Sequence, residues 1–281
     1  MIKFIEKRKN AFLVSGALIL LSIYGTSVKK INWGIDFTGG TLAQVSFKKD
    51  VSIESLREKL SEFKPVIQRF ANTNTFLLKF SQIKQQDISV KLNTILMENF
   101  KESEPQIEKF EMVGPVVGKF LIKAAIYAFF GAFIGIIFYV AIRFKGGIWG
   151  IAAVIALIHD VFITFGILCL MNYTIDLIII TGLLFIAGYS VNDTIVIYDR
   201  IRENLRKGLR KSNAEIFDTS INQTLSRTLV TSLTTLLVVA TLLLLGGMAI
   251  KSFAITLFIG IIIGTYSSIF IASPLVYITK K

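Results

Sequence analysis

With 281 residues, 53% of them hydrophobic, and a mean hydropathy of +0.64, the chain is too apolar for a water-soluble domain and reads as an integral membrane protein. Its formal net charge of +12 would suit a nucleic-acid partner, but the basic residues cluster beside apolar runs, where they act as membrane-topology signals, so no nucleic acid is expected. Cys169 is the only cysteine and lies in an apolar run, which excludes a disulfide framework and a cysteine-based metal site and leaves a packing role.

The basic start MIKFIEKRKN precedes an apolar run from Ala11 to Val28 that lacks a small-x-small cleavage site, so residues 1–28 read as a cytoplasmic N-terminus and an uncleaved first transmembrane helix. Residues 29–119 carry charges of both signs and no run long enough to span, and one crossing puts them outside the cytoplasm. Their pattern predicts a strand (Thr41 to Lys48), a helix (Ser52 to Phe63), two strands (Val66 to Ala71 and Thr75 to Phe80), a helix (Gln85 to Phe100) and a strand (Gln106 to Met112). This βαββαβ order points to a ferredoxin-like α+β domain. Ser52 caps the first of these helices, with Glu54 in its first turn. Just before the first strand, Gly39-Gly40 permits a tight turn; a phosphate-binding loop is the sharper reading, but the P-loop pattern and a following helix are missing.

Residues 120–281 hold five further spans: Phe120 to Ile142, Ile148 to Leu170, Leu177 to Tyr198, Thr228 to Leu245 and Phe253 to Ile278. The basic loop Arg143-Phe144-Lys145, the linker 199–222 with Arg200, Arg202, Arg206, Lys207, Arg210 and Lys211, and the terminal Lys280-Lys281 all belong on the cytoplasmic side. In that linker Ile201, Leu205 and Leu209 recur every four residues, which predicts a helix lying at the membrane surface, and Ser212-Asn213-Ala214-Glu215 predicts a capping box opening a second short helix. Gly131 with Gly135, and Gly260 with Gly264, form GxxxG pairs suited to close helix contact within this chain or with another.

Few ionisable residues fall deep in the spans: His159 and Asp160 in the third, Asp193, preceded by the polar Asn192, in the fourth with Asp199 and Arg200 at its end, and Arg227 at the mouth of the fifth. A carboxylate at such depth costs a few kcal/mol unless neutralised, paired or hydrated, and so marks a proton or ion path; the blander reading is a static ion pair. The fourth and fifth spans are antiparallel neighbours, which lets Asp193 and Arg227 meet at similar depth. An arginine beside the acid keeps it ionised, and its departure lets the acid take a proton. Tyr189 and Ser190 lie one turn from Asp193, and Thr224, Thr228, Thr231 and Thr235 follow helical spacing, so a polar seam is expected, unless the threonines simply glue helices together. His159 suits a proton relay or a structural role with Asp160; a lone histidine makes a poor metal site. An intramembrane aspartyl protease using Asp160 and Asp193 is disfavoured, because helix rise puts Asp160 about 9 Å deeper than Asp193, and the acid is preceded by Tyr189-Ser190-Val191-Asn192 instead of GxG.

Five stretches in order, GIDFTGGT (Gly34 to Thr41), VGPVVG (Val113 to Gly118), HDVFITFG (His159 to Gly166), GYSVNDTIVIYDRIREN (Gly188 to Asn204) and NQTLSRTLVTSLTTL (Asn222 to Leu236), make the chain resemble the SecF family, the smaller of two paired accessory subunits of bacterial protein export. The resemblance covers essentially the full length. It implies a member of the resistance-nodulation-division superfamily in the bacterial inner membrane, non-enzymatic and without cofactor or metal, which associates with SecD and the SecYEG channel and acts on translocating polypeptide under the proton-motive force. Asp193 and Arg227 match the family's proton-coupling positions, with sodium open as the coupling ion. Asp36, Phe37, Thr38, Gly39 and Gly40, together with Gly188, Tyr189, Ser190, Asp199 and Arg200, fall in its motifs. The six spans would be half of a twelve-span pseudosymmetric unit with the proton path at the seam. A small-molecule exporter of the same superfamily shares the proton logic, but such proteins carry larger external domains and both halves in one chain.

Overall fold

The computed structural model describes residues 1–29, 31–70, 73–80, 85–144, 147–207 and 211–279. The expectations placed on Ala71, Lys145, Leu209, Arg210, Lys280 and Lys281 fall outside the described residues. Two compact units emerge: Met1–Asn32 with Ala125–Lys281, and Trp33–Ala124.

In the second unit a one-turn helix α2 (Ile35–Thr38) precedes β1 (Gly40–Ser46), α3 (Ile53–Lys59), β2 (Val66–Arg69), β3 (Thr75–Phe80), α4 (Gln85–Asn99) and β4 (Gln106–Val113). The strands form one sheet in the order β2-β3-β1-β4 with every pair antiparallel, the ferredoxin-like arrangement expected. Strict alternation along β3 sends Phe76, Leu78 and Phe80 inward, where they meet Leu56 and Leu60 near α3 and Ile88, Leu92 and Leu96 of α4, which recur every four residues. Ser52 caps α3 by accepting a hydrogen bond from the Ser55 amide at 3.1 Å. The α2 turn went unforeseen, because four residues are too few for a periodicity. The glycines after it have φ of 70° and 129°, and a Cβ on Gly40 would lie 2.5 Å from the Phe80 carbonyl, so β1 enters the sheet only without a side chain there.

The first unit holds α1 (Arg8–Ser27), the length of α5 (Pro115–Phe144) from Ala125, α6 (Gly147–Leu170), α7 (Leu177–Arg206), α8 (Asn213–Leu245), α9 (Gly247–Ser267) and α10 (Ser273–Thr279), the last two joined by a π-helical turn, Ser268–Ala272. Among the described residues six helices, counting α9 to α10 as one, are long and apolar enough to cross a membrane. α6, α7 and α9 form the centre, with 61%, 50% and 61% of their most apolar windows buried against 6% for α5 and 17% for α8, whose open faces are greasy enough to meet lipid or another helix.

The linker expectation needs correction. α7 continues unbroken to Arg206, and the capping box of Ser212 and Glu215 opens α8 itself, with no separate short helix. Ile201 is fully buried, so this stretch is the extension of a span and packs on the bundle instead of floating on the bilayer. The GxxxG pairs also divide: Cβ atoms on Gly260 and Gly264 would strike Ile186 at 2.0 Å and Ser190 at 3.0 Å, whereas Gly131 and Gly135 have nothing within 4 Å.

Candidate functional site: two buried acids with opposite surroundings

Asp160 is fully buried at the junction of four helices. Its Oδ2 accepts hydrogen bonds from Ser190 of α7 and Ser267 of α9, each at 2.6 Å, and its Oδ1 lies 2.9 Å from His159 Nδ1. The histidine's other nitrogen is 3.1 Å from Ser15 Oγ on α1, which in turn is 3.2 Å from the Tyr266 hydroxyl, and Tyr266 donates to the Ala11 carbonyl at 2.7 Å. Every polar atom along this chain has a partner, so the cluster clamps α1, α6, α7 and α9 together.

The π turn places the serines. Pro274 has no N–H to offer the carbonyl four residues back, and the widened turn before it brings both Ser267 and Ser268 inward, fully buried. Ser268 Oγ lies 2.9 Å from Thr194 Oγ1, and Ser273 donates to the Ser268 carbonyl at 3.0 Å.

Asp193 is the contrast. It is 5% exposed, yet among the described residues its one side-chain hydrogen bond is a long 3.4 Å contact from Ser232 of α8. Ser232 also lies 2.7 Å from Thr265 Oγ1, whose own proton goes to the Ile261 carbonyl at 2.8 Å, so the shorter contact takes the single Ser232 proton. One turn back along the same stripe, the Thr228 hydroxyl is buried with no partner among the described residues. The seam between α7 and α8 is therefore polar and undersupplied with hydrogen bonds.

Register sets Arg227 beside it. Tyr189 Oη donates to the Thr231 carbonyl at 3.3 Å and to Thr235 Oγ1 at 3.1 Å. Asp193 is one turn beyond Tyr189 on α7, and Arg227 is one turn before Thr231 on the antiparallel α8, so the two residues fall at matching depth along the helix pair. The ion pair itself is open: among the described residues neither group has a salt-bridge partner, and Arg227 is exposed.

Residues 93–281 match the C-terminal part of the protein export membrane proteins SecD/SecF, and residues 24–51 match the SecD/SecF GG motif. The chain belongs to the SecD/SecF family. It is 42% identical to the protein translocase subunit SecF of Calditerrivibrio nitroreducens over 100% of this chain and 94% of that one. The corresponding protein of Endomicrobium trichonymphae is 38% identical over 98% and 90%, and that of Escherichia coli O157:H7 41% over 94% and 84%. The crystal structure of SecDF from Thermus thermophilus, described as a translocon-associated membrane protein, superposes with a TM-score of 0.90 at 38% identity, covering 99% of this chain and 38% of that longer one. SecDF in its super-membrane-facing form gives 0.71 at 37% identity.

Within this SecD/SecF member the predicted site residues separate. Asp193 and Tyr189 share the α7–α8 seam, with Arg227 at its edge. Ser190 instead serves Asp160, and His159 and Asp160 form the clamp. Asn192 is exposed, in a stripe with Thr181, Phe185 and Gly188 on the side of α7 where Phe185 stacks on Tyr189, and among the described residues it makes no hydrogen bond to Asp193. Asp199 pairs with Arg143 at 2.8 Å and Arg200 with Glu203 at 2.9 Å, both at the Arg206 end of α7. Asp160 meets α7 at Ser190, three residues before Asp193 and so only about 4.5 Å deeper, half the expected offset; the two acids nevertheless keep separate partners and share no proton. Ser15, Ser232, Thr265, Tyr266, Ser267 and Ser268 were missed.

Proposed function

We propose that this chain is the SecF subunit of a bacterial protein translocase, pairing with a SecD half and the SecYEG channel in the inner membrane. Both termini lie in the cytoplasm, and residues 29–119 face outward, where they handle emerging polypeptide. The proton-motive force acts through Asp193 and Arg227: the acid holds a proton while the guanidinium is away and releases it when the guanidinium swings in. One observation carries this reading, the contrast between two buried acids. Asp160 is saturated with partners and locked, whereas Asp193 has a single long contact and, among the described residues, no salt-bridge partner, with Arg227 set by helical register at similar depth. A group meant to change charge has to be left short of fixed partners, since a saturated one would resist both states. The exposed stripe Phe185, Gly188 and Asn192 of α7, together with Arg227, forms the open flank on which the SecD half would close the proton path.

The test is export in inverted membrane vesicles with and without an uncoupler, at matched protein level. Asp193→Asn and Arg227→Ala are expected to leave the protein assembled and to erase the gradient-dependent part of export. Near-normal, uncoupler-sensitive export by both variants would remove the coupling assignment.

A further inference from the structure

A cavity of about 310 Å³ opens at the Arg206 end of the bundle, lined by Arg143 of α5 and by Asp199, Arg202, Glu203, Arg206 and Lys207 of α7. Four cations face two carboxylates there, and the carboxylates are already engaged. Asp199 is held by Arg143 at 2.8 Å, and Glu203 is shared between Arg200 at 2.9 Å and Lys207 at 2.7 Å. Arg202 donates Nη1 to the Arg143 carbonyl at 2.9 Å, closing the end of α5, which leaves the rest of its fork available. Arg206 is exposed and has no hydrogen bond or ion pair among the described residues. The cavity thus holds unspent positive charge arranged for an anion.

Its depth points to the kind of anion. Phe144 and Tyr198, each next in sequence to a lining residue, pack with Trp149 ring against ring in the buried core, with centroids 4.8 to 5.7 Å apart, so the charged lining begins where the apolar core of the bundle ends. Beside it the outer face of α5 is bare and apolar: Phe138, Tyr139 and Ile142 are 68%, 53% and 62% exposed. An anion that also carries acyl chains would fill both features, with its phosphate among the guanidinium groups and its chains along α5. We propose that this cavity is a binding site for the headgroup of an anionic phospholipid. The site requires only that the chain spans a bilayer, so it stands or falls separately from proton coupling.

The experiment places the full chain in nanodiscs of phosphatidylethanolamine and phosphatidylglycerol and counts retained lipids by native mass spectrometry. Wild type is expected to retain phosphatidylglycerol in preference to phosphatidylethanolamine. Arg206→Gln should weaken that retention about fivefold, the worth of one basic residue at a charged surface. Arg206→Lys should restore most of it, and Arg57→Gln in the other unit should change nothing. Equal retention of both lipids, or no effect of Arg206→Gln, would overturn the proposal. Inorganic phosphate binding with the same Arg206 dependence, and displacing the lipid at equal concentration, would also overturn it in favour of a free-phosphate site.

Discussion

Replacing each buried acid by leucine, which is close in size and cannot accept a hydrogen bond, separates the clamp from the switch. In Asp160→Leu the hydroxyls of Ser190 and Ser267 and the His159 ring lose an acceptor at 2.6 to 2.9 Å in a fully buried place. Each buried polar group left without a partner costs about 1–3 kcal/mol. Ser267 recovers part of this through its 3.2 Å contact with the Gly264 carbonyl. The net loss comes to about 3–5 kcal/mol, enough to loosen α1 from the bundle. Asp193→Leu strands only Ser232, which already has Thr265 at 2.7 Å, so its cost stays below about 1 kcal/mol. Heating the detergent-solubilised chain and measuring the monodisperse fraction by size exclusion reads the difference: Asp160→Leu should fail many degrees below wild type, and Asp193→Leu close to it. Equal losses, or a larger one for Asp193→Leu, would refute the division of roles.

Ser232→Ala should leave assembly unchanged and slow uncoupler-sensitive export severalfold, since it removes the hydroxyl at Asp193; an unaltered export rate would take Ser232 out of the site. Gly260→Val forces a side chain onto Ile186 and should cost about 1–3 kcal/mol of thermal stability in the isolated chain, whereas Gly131→Val, with open space around it, should shift stability by no more than about 0.5 kcal/mol. Leu92→Ala should destabilise the sheet-containing unit by about 2–5 kcal/mol, read as faster proteolysis of residues 33–124 with the spans left intact.

The sheet was legible because its signals are local and redundant. From Phe76 to Phe80 every second residue is apolar and buried, and α4 repeats its apolar residues every four positions. The continuation of α7 to Arg206 was misread for a definable reason: a run of charges marks where the bilayer ends, but Arg, Glu, Leu and Lys are good helix formers and do not end a helix. The spacing of Tyr189 and Asp193 against Arg227, Thr231 and Thr235 gave away the seam, because residues four apart share a face. Its serines stayed hidden. Most hydroxyls in these spans bond back to their own helix, as Thr231 does to the Arg227 carbonyl and Thr241 to the Leu237 carbonyl, so residue type does not say which will reach across. Only Ser267-Ser268 standing just ahead of Ser273-Pro274 carried a readable hint, a proline that leaves a helical carbonyl free.

The helices that supply each acid's surroundings also identify the element that has to move. The Asp160 cluster draws on α1, α6, α7 and α9 and includes no residue of α8. Asp193 hangs from α7 within that rigid set, but its one contact, Ser232, belongs to α8, with Thr228 one turn further along the same stripe. α8 is also the less buried of the two, with open flanks, and it meets the upper part of α7 through the phenol of Tyr189. A small slide or rotation of α8 therefore changes the company of Asp193 and leaves every bond of Asp160 intact. In the proposed cycle the clamp is what gives the motion direction: with four helices fixed to one another, a charge exchanged at the seam acts on α8, the seam helix that lies outside the clamp.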